Sequence, residues 1–489
     1  MNRKRHASMG RMGIPVLAAA LCAWGPAPFL HAQAESNPTS ASNPFYGSVT
    51  AHPATDEAIQ LSLDDAIHRG LENNLGLKQA ENSERAIHGQ KLQALQEFLP
   101  TINLSADAGF YQHNLAAQGF GPGLISKFAG LFPGGIPAGS FSFITRDTLT
   151  EGQLQFKQTL FSGPVIAGWR AAGAATRAAY FAKMSARGEV VQQVASAYLH
   201  AIAAASEVDD AKALEQSDQV LFNQAHAEHE AGVASNLDEL RARVQLQSQQ
   251  QALIAAENSA EKDLILLKRE IGLDPGQKIT LTDRAPYSEL AAQTPEEVRA
   301  IAYKNRQDYQ NLQNQLVELK AVHSAYRSQR YPTLSFNGYY GVTDVGGVGS
   351  HGTFLAQGTL SVPIFREARL RGDIDSARAQ LNAANFQLDD LRSHIDQQVR
   401  SALLDMDATT KLVEVAKSNV ELATRALSDE TDRVNAGVDD NLPLVTAQAT
   451  LATAQNNLVE SLYQFNLSKL ALARAAGVLE QQYRAYLGR

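Results

Sequence analysis

The feature that most constrains this sequence is a stretch of seventy residues, Ser162 to Ala231, whose only proline, Pro164, lies in the first turn. Small and apolar residues recur in it at steps of three and four, the spacing of a helix that packs lengthwise against another. These positions are Val190, Val194, Ala197, Ala201, Ala204, Val208 and Ala211. As one helix the stretch would be roughly 105 Å long, at about 1.5 Å per residue. No compact globular domain needs such an element, so the sequence predicts an elongated helical protein.

The first 34 residues have the pattern of a secretory signal peptide, with a buried N-terminal helix as the alternative interpretation. Four basic residues precede an apolar run from Ile14 to Leu30, and Ala32-Gln33-Ala34 has the small-x-small form of a cleavage site. The only cysteine, Cys22, lies in this segment and is a candidate for lipid attachment, although a residue as bulky as Leu21 is unusual before such a site. Cleavage after Ala34 would leave a mature chain without disulfides or thiol chemistry.

Charge and hydropathy restrict the compartment and the partners. Residues 1–34 contain four basic and no acidic residues, so the mature chain has 39 Lys and Arg against 51 Asp and Glu, a net charge of −12 instead of −8. An acidic exported protein is a poor candidate for binding nucleic acid. No run of eighteen apolar residues follows residue 34, which argues against a transmembrane helix. The periplasm, the cell exterior and a membrane crossed by β-strands remain open.

Two segments, 101–110 and 151–160, alternate apolar and polar residues as β-strands do. A half-buried strand on a soluble core and a strand of a membrane barrel both fit this alternation. If the strands form a barrel, their polar side chains, with those of the equivalent strands further along, are predicted to line its lumen. They are Asn103, Ser105, Asp107, Gln153, Gln155, Lys157, Thr333, Ser335, Asn337, Thr359 and Ser361. The segment between the two strands, about 112–148, is a loop rich in Gly, Pro and Phe, which suits a long external loop.

The whole arrangement recurs along the chain. Pro100 aligns with Pro332 at a shift of 232, and Phe161 with Phe365 at a shift of 204. The sequence Ala-Gly-Val-x-x-Asn-Leu, which begins at residues 231 and 436, and the glycines at 272 and 477 both align at a shift of 205. Because order, type and spacing are kept over four landmarks, the chain contains an internal duplication.

The lengths of the predicted helices indicate how the two repeats are arranged. Short helices predicted at 61–99 and 238–271 together match the 70-residue long helix, and those at 296–331 and 442–476 match a second long helix at 366–436. The predicted organisation is a signal peptide (1–34), an extended lead-in (35–60), a first repeat (61–272), an equatorial linker (273–295), a second repeat (296–477) and a C-terminal tail (478–489). The fold class is therefore mainly α with membrane β-strands, built from long antiparallel helical hairpins and four strands per chain. Four strands cannot close a barrel, and open edges are not tolerated in lipid, so the chain should oligomerise with eight strands in two copies or twelve in three.

With this duplicated plan, an X-Pro-Thr sequence before each first strand and two glycine turns, the chain resembles the TolC-like outer membrane factor family over residues 61–477. The segment from Gly232 through Asp238 to Ala242-Arg243 is similar to the family's periplasmic tip. The resemblance implies a homotrimer with a twelve-stranded outer-membrane β-barrel, a periplasmic α-barrel and an equatorial belt. It also implies a passive exit duct of a tripartite efflux pump or type I secretion system. Its partners would be a periplasmic adaptor, an inner-membrane transporter of the RND or ABC type, and outer-membrane lipid.

The resemblance assigns roles to the two glycine turns. Docking of the adaptor is expected at Gly232, Val233, Ala234, Gly437 and Val438. A plain helical hairpin is the alternative, because glycine after a helix is a common C-cap in any protein.

A periplasmic gate is expected next to these turns. Asp238 matches an acidic gate position of the family, although a first-turn carboxylate that caps the returning helix explains it equally well. The family's tyrosine and arginine on the other repeat are replaced by Val434 and Asp439, and Pro443 stands where an acidic residue is expected. The candidate gate therefore also includes Arg241, Arg433, Asp439 and Asp440. Asp439 and Asp440 would form an acidic ring in a trimer or act as solvated caps.

No residue pattern indicates an enzyme. The sequence has no Gly-x-Ser-x-Gly, His-Glu-x-x-His or phosphate-binding glycine loop. His226 and His229 are three residues apart on a helix, but no third ligand is near in sequence, so solvated histidines are expected rather than a metal site. No cofactor is predicted. A structural or adhesive coiled-coil protein of the envelope, anchored in the outer membrane, is the alternative function.

Overall fold

The computed structural model describes residues 43–49, 53–114, 144–232, 235–283, 287–288, 290–347, 349–436 and 441–488. The helices in these ranges are α1 (Leu63–Asn73), α2 (Leu75–Gln96), α3 (Gly163–Glu230), α4 (Asn236–Glu270), α5 (Pro295–Asn305), α6 (Gln307–Ser328), α7 (Glu367–Asn435), α8 (Asn441–Ala475) and α9 (Leu479–Leu487). The strands are β1 (Ile59–Leu61), β2 (Thr101–Asn114), β3 (Ile144–Phe161), β4 (Ile279–Leu281), β5 (Thr333–Val345) and β6 (His351–Ser361). The fold is mainly α, as predicted. The Gly- and Pro-rich loop lies largely outside the described residues.

Both predicted long helices are confirmed to within one residue at each end. Helix α3 has 68 residues, and Ser162 caps it by accepting a hydrogen bond from the backbone N–H of Val165. Pro164 lies in the first turn, where its missing N–H costs no helical hydrogen bond. Helix α7 has 69 residues, and Arg366 at its start makes no side-chain cap. Each helix is roughly 100 Å long at about 1.5 Å per residue.

The two predicted helices 61–99 and 296–331 are wrong as single elements, because each is broken after eleven residues. Asn74 separates α1 from α2 with an extended backbone, and its side chain accepts a hydrogen bond from Leu77 N at 3.2 Å. The same side chain donates to Phe45 O at 2.6 Å. Arg306 separates α5 from α6, also with an extended backbone. No proline lies at either break; the first is marked by the Asn74 cap and by its bond to Phe45, and the second by an extended backbone at Arg306.

The four long strands form one antiparallel sheet in the order β2-β3-β5-β6. Strand β3 pairs with β2 on one side and with β5 on the other, which joins the two halves of the chain. Strands β2 and β6 are the edges and have a neighbour on one side only. The short strands β1 and β4 form a separate parallel pair, so part of the predicted linker 273–295 is held against the segment that precedes α1.

The main core lies where the linker, the chain ends and the middle of α3 meet. The fully buried hydroxyl of Tyr198 on α3 is 2.8 Å from Leu61 O and 2.9 Å from Asp283 Oδ2. The backbone N–H of Leu63, at the start of α1, donates to the same carboxylate oxygen at 2.8 Å. Burial raises the pKa of the Tyr198 hydroxyl well above its ordinary range, so it stays protonated and keeps its hydrogen. This cluster anchors the first repeat to the equatorial linker.

Glu270 at the end of α4 is an unfavourable group in this core and permits a stability prediction. Its side chain is 2% exposed; Oε1 accepts from Gln193 Nε2 at 3.1 Å, and Oε2 has no hydrogen-bond partner among the described residues. Burial raises its pKa to about 8. The folded state therefore holds a proton that the unfolded chain loses above its own pKa, so stability falls as pH rises towards 8.

We expect Glu270→Gln to raise the thermal midpoint at about pH 8 and to change it little at about pH 5, with a gain of a few kcal/mol at 1.4 kcal/mol per pKa unit. Circular dichroism melting of the purified protein at both pH values measures this. Glu257→Gln is the control, because that carboxylate is half exposed and lies 3.6 Å from Lys212. Equal effects of the two substitutions at each pH would contradict the prediction.

Candidate functional site

The turn between α3 and α4 is one predicted docking tip. Gly232 has a φ of +75°, a left-handed conformation that favours glycine, and a Cβ built there would meet nothing within 4 Å. Ser235 follows as the N-cap of α4. The predicted residues Val233 and Ala234 lie outside the described residues, as do Gly437, Val438, Asp439 and Asp440 of the second tip.

Asp238 occupies the first turn of α4 and takes part in its cap. Its Oδ2 accepts from Ser235 Oγ at 2.6 Å, while Ser235 Oγ accepts from the backbone N–H of Asp238 at 3.3 Å. Arg241 Nη1 lies 3.5 Å from Asp238 Oδ1. The capping role considered from the sequence is therefore present, and the same carboxylate also pairs with a candidate gate residue. Arg433 lies in the last turn of α7, with Nε 3.9 Å from Glu430 Oε2.

The two histidines of this tip form a contact that the sequence did not predict. His226 Nδ1 lies 3.0 Å from Glu239 Oε1, and His229 Nε2 lies 3.8 Å from Glu239 Oε2. The ring of Phe222 stacks on His226 with centroids 6.0 Å apart. Both histidines remain about half exposed, as solvated side chains do, and they connect the end of α3 to the start of α4. No three His, Cys, Asp or Glu side chains in the described ranges are arranged to hold a metal ion.

A cavity of about 360 Å³ lies between α3, α4 and α8 close to this tip. Its apolar lining comes from Leu221, Leu237, Leu240, Val244, Leu444 and Val445. Asp238 and Arg241 also line it, so these two of the candidate gate residues border an apolar space between the two helical hairpins.

The predicted lumen residues share one face of the four-stranded sheet. Residues directly opposite in an antiparallel pair point to the same side, and the register pairs Asn103 with Gln155, Ser105 with Gln153, and Lys157 with Asn337. Asp107 faces Glu151, Thr159 faces Ser335, and Thr333 faces Ser361. The other face carries exposed apolar side chains, with Leu104 81% and Phe354 78% exposed. The sheet thus has one polar and one apolar surface.

The sequence of this chain matches the profile of a known family over most of its length. The family is described as "Outer membrane efflux protein", and the match covers residues 66–273 and 299–478. The chain belongs to the outer membrane efflux protein family. Membership places it in the outer membrane, and its helical hairpins are the periplasmic part of this fold. The family is one of channel and efflux proteins rather than enzymes. No helix in the described part of the chain is long and apolar enough to cross a membrane.

Curated relatives include proteins of both efflux and secretion. The toluene efflux pump outer membrane protein TtgC of Pseudomonas putida is 27% identical over 275 residues, 52% of this chain and 54% of the relative. The alkaline protease secretion protein AprF of Pseudomonas aeruginosa is 25% identical over 309 residues, 60% of this chain and 62% of the relative. The matched region thus spans a little more than half of each of these two relatives.

Solved structures with the same fold cover the chain more fully. The CmeC outer membrane channel of Campylobacter jejuni superposes with a TM-score of 0.71 at 16% identity, over 89% of this chain and 92% of that one. The outer membrane protein VceC of Vibrio cholerae superposes with a TM-score of 0.69 at 18% identity, over 85% of this chain and 96% of that one. The long helical hairpins with four membrane strands are therefore a shared fold.

Proposed function

We propose that this protein is the outer-membrane exit duct of a tripartite efflux pump or a type I secretion system. It would conduct small molecules or polypeptides passively from a periplasmic adaptor and an inner-membrane transporter to the exterior. The observation that carries the proposal is a sheet with one polar and one apolar face, joined to helices about 100 Å long. In a closed ring the apolar face would meet lipid and the polar face would line an aqueous pore. Relatives named for toluene efflux and for protease secretion support both cargo classes.

A homotrimer is part of this proposal, because the sheet of one chain has two open edges. The internal duplication predicts which residues of β6 in one copy would pair with β2 of the next copy. Adding the shift of 204 to Lys157 of β3 leads to Ser361 of β6, and subtracting 232 from Asn337 of β5 leads to Ser105 of β2. Since Lys157 faces Asn337 within the chain, Ser361 of one copy should face Ser105 of the next.

Exposed apolar residues at the base of the sheet support the same contact. The start of α3 packs closely on α6, so that a Cβ on Gly163 would come within 2.8 Å of the Ser328 Cβ. By the same shifts, the start of α7 should pack on the end of α2 of a neighbouring copy. Ile364 and Phe365 before α7 are 95% and 88% exposed, and Leu99 after α2 is 47% exposed. A second copy would bury all three.

Cysteine cross-linking tests the trimer. Directly paired positions of an antiparallel ladder have Cα atoms about 4.5–5.5 Å apart, within the range of a disulfide. We expect Ser105→Cys combined with Ser361→Cys to give covalent species of up to three chains in outer-membrane extracts under oxidising conditions. Ser105→Cys with Leu360→Cys, whose side chain lies on the other face, is the matched control. A largest species of two chains, or cross-linking no better than that of the control, would refute the trimer.

The duct itself is tested by export. Deletion of the gene should sensitise cells to several unrelated toxic compounds or abolish secretion of a polypeptide, and the intact gene should restore the lost export. A deletion strain that keeps every export phenotype, with a monomeric soluble product in the periplasm, would contradict the proposal.

The proposed gate gives a further prediction. We expect Asp238→Ala to increase leakage through the duct, because it removes the carboxylate that pairs with Arg241 and caps α4. Single-channel conductance and sensitivity to large antibiotics measure the leak. Ser235→Ala is the control, since it removes the cap hydroxyl but keeps the charge of Asp238. A channel as tight as the wild type, or an equal leak from Ser235→Ala, would remove the gate assignment.

A further inference from the structure

The base of the four-stranded sheet, where the strands meet the helices, has an excess of positively charged residues. The four ten-residue segments next to the sheet (91–100, 162–171, 323–332 and 362–371) together contain seven Lys and Arg but two Asp and Glu. The chain after residue 34 has the opposite balance, 39 basic against 51 acidic residues. We call the seven basic residues the basal cluster; they are Lys91, Arg170, Arg327, Arg330, Arg366, Arg369 and Arg371. Positive charge is therefore concentrated at one level of an acidic molecule.

Ion pairs within the chain compensate only part of this charge. Arg170 and Arg327 are exposed and pair with no carboxylate of the described residues. Arg330 and Arg371 share one carboxylate, that of Glu367, each at 2.8 Å. An exposed guanidinium is a strong hydrogen-bond donor to phosphate oxygens, so the basal cluster suits an anionic partner.

Contacts at the end of β3 indicate on which side of the sheet part of the basal cluster lies. Gln158 faces Phe336 across the β3–β5 ladder, so its side chain lies on the apolar face of the sheet. Its Nε2 donates to Phe98 O at 3.3 Å. The ring of Phe98 meets the ring of Trp169 on α3 edge-on, with centroids 6.3 Å apart, and Lys91 Nζ lies 5.4 Å from the centroid of Trp169. Lys91 and Trp169 are therefore connected to the apolar side of the sheet.

The depth of Trp169 fits the head-group region of a membrane. Its Cα lies eight residues after Phe161, the end of β3, or about 12 Å below the sheet at about 1.5 Å per residue. Side chains of a helix tilt towards its N-terminus, which for α3 is the sheet, so the Trp169 ring and the Arg170 guanidinium lie nearer to it. Head groups form a layer about 5–8 Å thick outside the hydrocarbon core, and tryptophan is enriched at this level of membrane proteins.

We propose that the basal cluster is a docking surface for anionic phospholipids of the periplasmic leaflet of the outer membrane, with Lys91 and Arg170 binding the head groups beside Trp169. The helices are the periplasmic part of this fold, so the base of the sheet is next to that leaflet. Basic residues near a membrane surface attract anionic lipid, and the attraction extends over about one Debye length. The docking surface would fix the depth of the sheet in the membrane, and it does not depend on the proposed duct.

Trp169 itself provides a fluorescent reporter of this surface. The other tryptophan, Trp24, lies in the predicted signal peptide, so the mature chain would contain Trp169 alone. The mature protein would be reconstituted into mixed vesicles that contain brominated dioleoylphosphatidylglycerol or brominated dioleoylphosphatidylcholine, and quenching of its fluorescence gives the ratio of the two binding constants. At about 0.01 M salt we expect a ratio of about 5 in favour of the anionic lipid, the effect of one basic residue near a membrane surface. At about 1 M salt, where charges are screened within about 3 Å, the ratio should fall to about 1.

Substitutions next to the reporter test which residues bind the head groups. Arg170→Gln should lower the ratio at least twofold, and Lys91→Gln with Arg170→Gln should bring it close to 1, because quenching reports the lipids beside Trp169. Arg170→Lys keeps the charge and should keep the ratio. Arg425→Gln is the matched control, since this exposed arginine pairs with Glu421 on α7, away from the sheet, and it should leave the ratio unchanged. Circular dichroism melting verifies that each variant is folded.

Several outcomes would overturn the docking surface. Equal quenching by the two lipids in the wild type would do so, as would a ratio that the double variant retains. A decrease in Arg425→Gln as large as that in Arg170→Gln would also do so, because it would reflect only the net charge of the protein. Absence of quenching by either lipid would place Trp169 outside the membrane and contradict the inference. A selective ratio in a protein that conducts nothing in planar bilayers would support the docking surface and refute the duct.

Discussion

Gly477→Ala is expected to destabilise this protein by about 3 kcal/mol, through left-handed backbone strain and a steric clash together. Gly477 ends α8 in a Schellman motif: its N–H donates to Arg474 O at 2.9 Å, and Val478 N donates to Ala473 O at 3.0 Å. Its φ is +74°, where a side chain is strained. A Cβ would also lie 2.7 Å from the backbone N of Arg306 and 2.8 Å from its Cα. Because these atoms are backbone, the clash cannot be relieved by a rotamer change.

Gly232→Ala is the matched control for Gly477→Ala. Gly232 has nearly the same φ, +75°, but nothing lies within 4 Å of its added Cβ. The Gly232→Ala variant should be destabilised only by the left-handed backbone strain, roughly 1 kcal/mol. The midpoint of thermal unfolding, followed by circular dichroism, should therefore fall at least twice as far for Gly477→Ala. Equal decreases in the two variants would show that contact with Arg306 contributes nothing.

Arg306→Met is expected to have the second large effect, because it removes the cation that compensates Asp308 between α5 and α6. Arg306 is 9% exposed, and its Nε and Nη2 donate to the two oxygens of Asp308 at 3.1 and 2.6 Å. Its Nη1 donates to Gln398 Oε1 on α7 at 2.6 Å. Asp308 keeps 38% of its side chain exposed, so we expect a loss of about 2 kcal/mol, below that of a fully buried pair.

The pH dependence of this variant distinguishes the ion pair from simple packing. Burial acts to raise the pKa of Asp308, but hydrogen bonds and charge from Arg306 outweigh it and hold the pKa below its ordinary value. In the wild type this carboxylate therefore stabilises the fold above the unfolded-state pKa, and the contribution is lost as pH falls through the lowered folded-state pKa. In Arg306→Met the backbone N–H of Tyr309 and the charge of Arg474 would still oppose burial, so the gain in stability as pH rises through the pKa of Asp308 should become smaller.

Thermal melts between about pH 4 and pH 8 measure this smaller pH dependence, and Arg306→Met with Asp308→Asn should remove what remains of it. Arg330→Met is the control, since its pair with Glu367 at 2.8 Å is exposed on both sides and contributes little to stability. A uniform loss of stability at all pH values would indicate that Arg306 acts by packing alone.

Local periodicity was sufficient to predict the long elements. Helix α3 begins and ends within one residue of the stretch 162–231, and the duplication located α7 without further information. Alternation placed Ser105 and Gln153 on the same polar face, which the register confirms. The breaks at Asn74 and Arg306 were missed, because neither has a proline and the helical periodicity continues across both residues.

The candidate site was predicted less completely than the fold. The positions of Asp238 and Arg241 follow from the glycine turn, whereas the contact of His226 and His229 with Glu239 requires α4 to return alongside α3. A glutamate in the first turn of the returning helix was the only available signal, and it resembles an ordinary dipole-compensating residue.

The sequence by itself determined the duplication, the lengths of the helices, the two-faced strands and the glycine turns, since each is a pattern within one element or a repeat of it. Only the tertiary structure decided which distant groups meet. His200 reaches Tyr463, and Gly477 fits against Arg306, across more than 150 residues of chain. Such contacts depend on the approach of α8 to α3 and of the end of α8 to the break between α5 and α6, and no local periodicity encodes that approach.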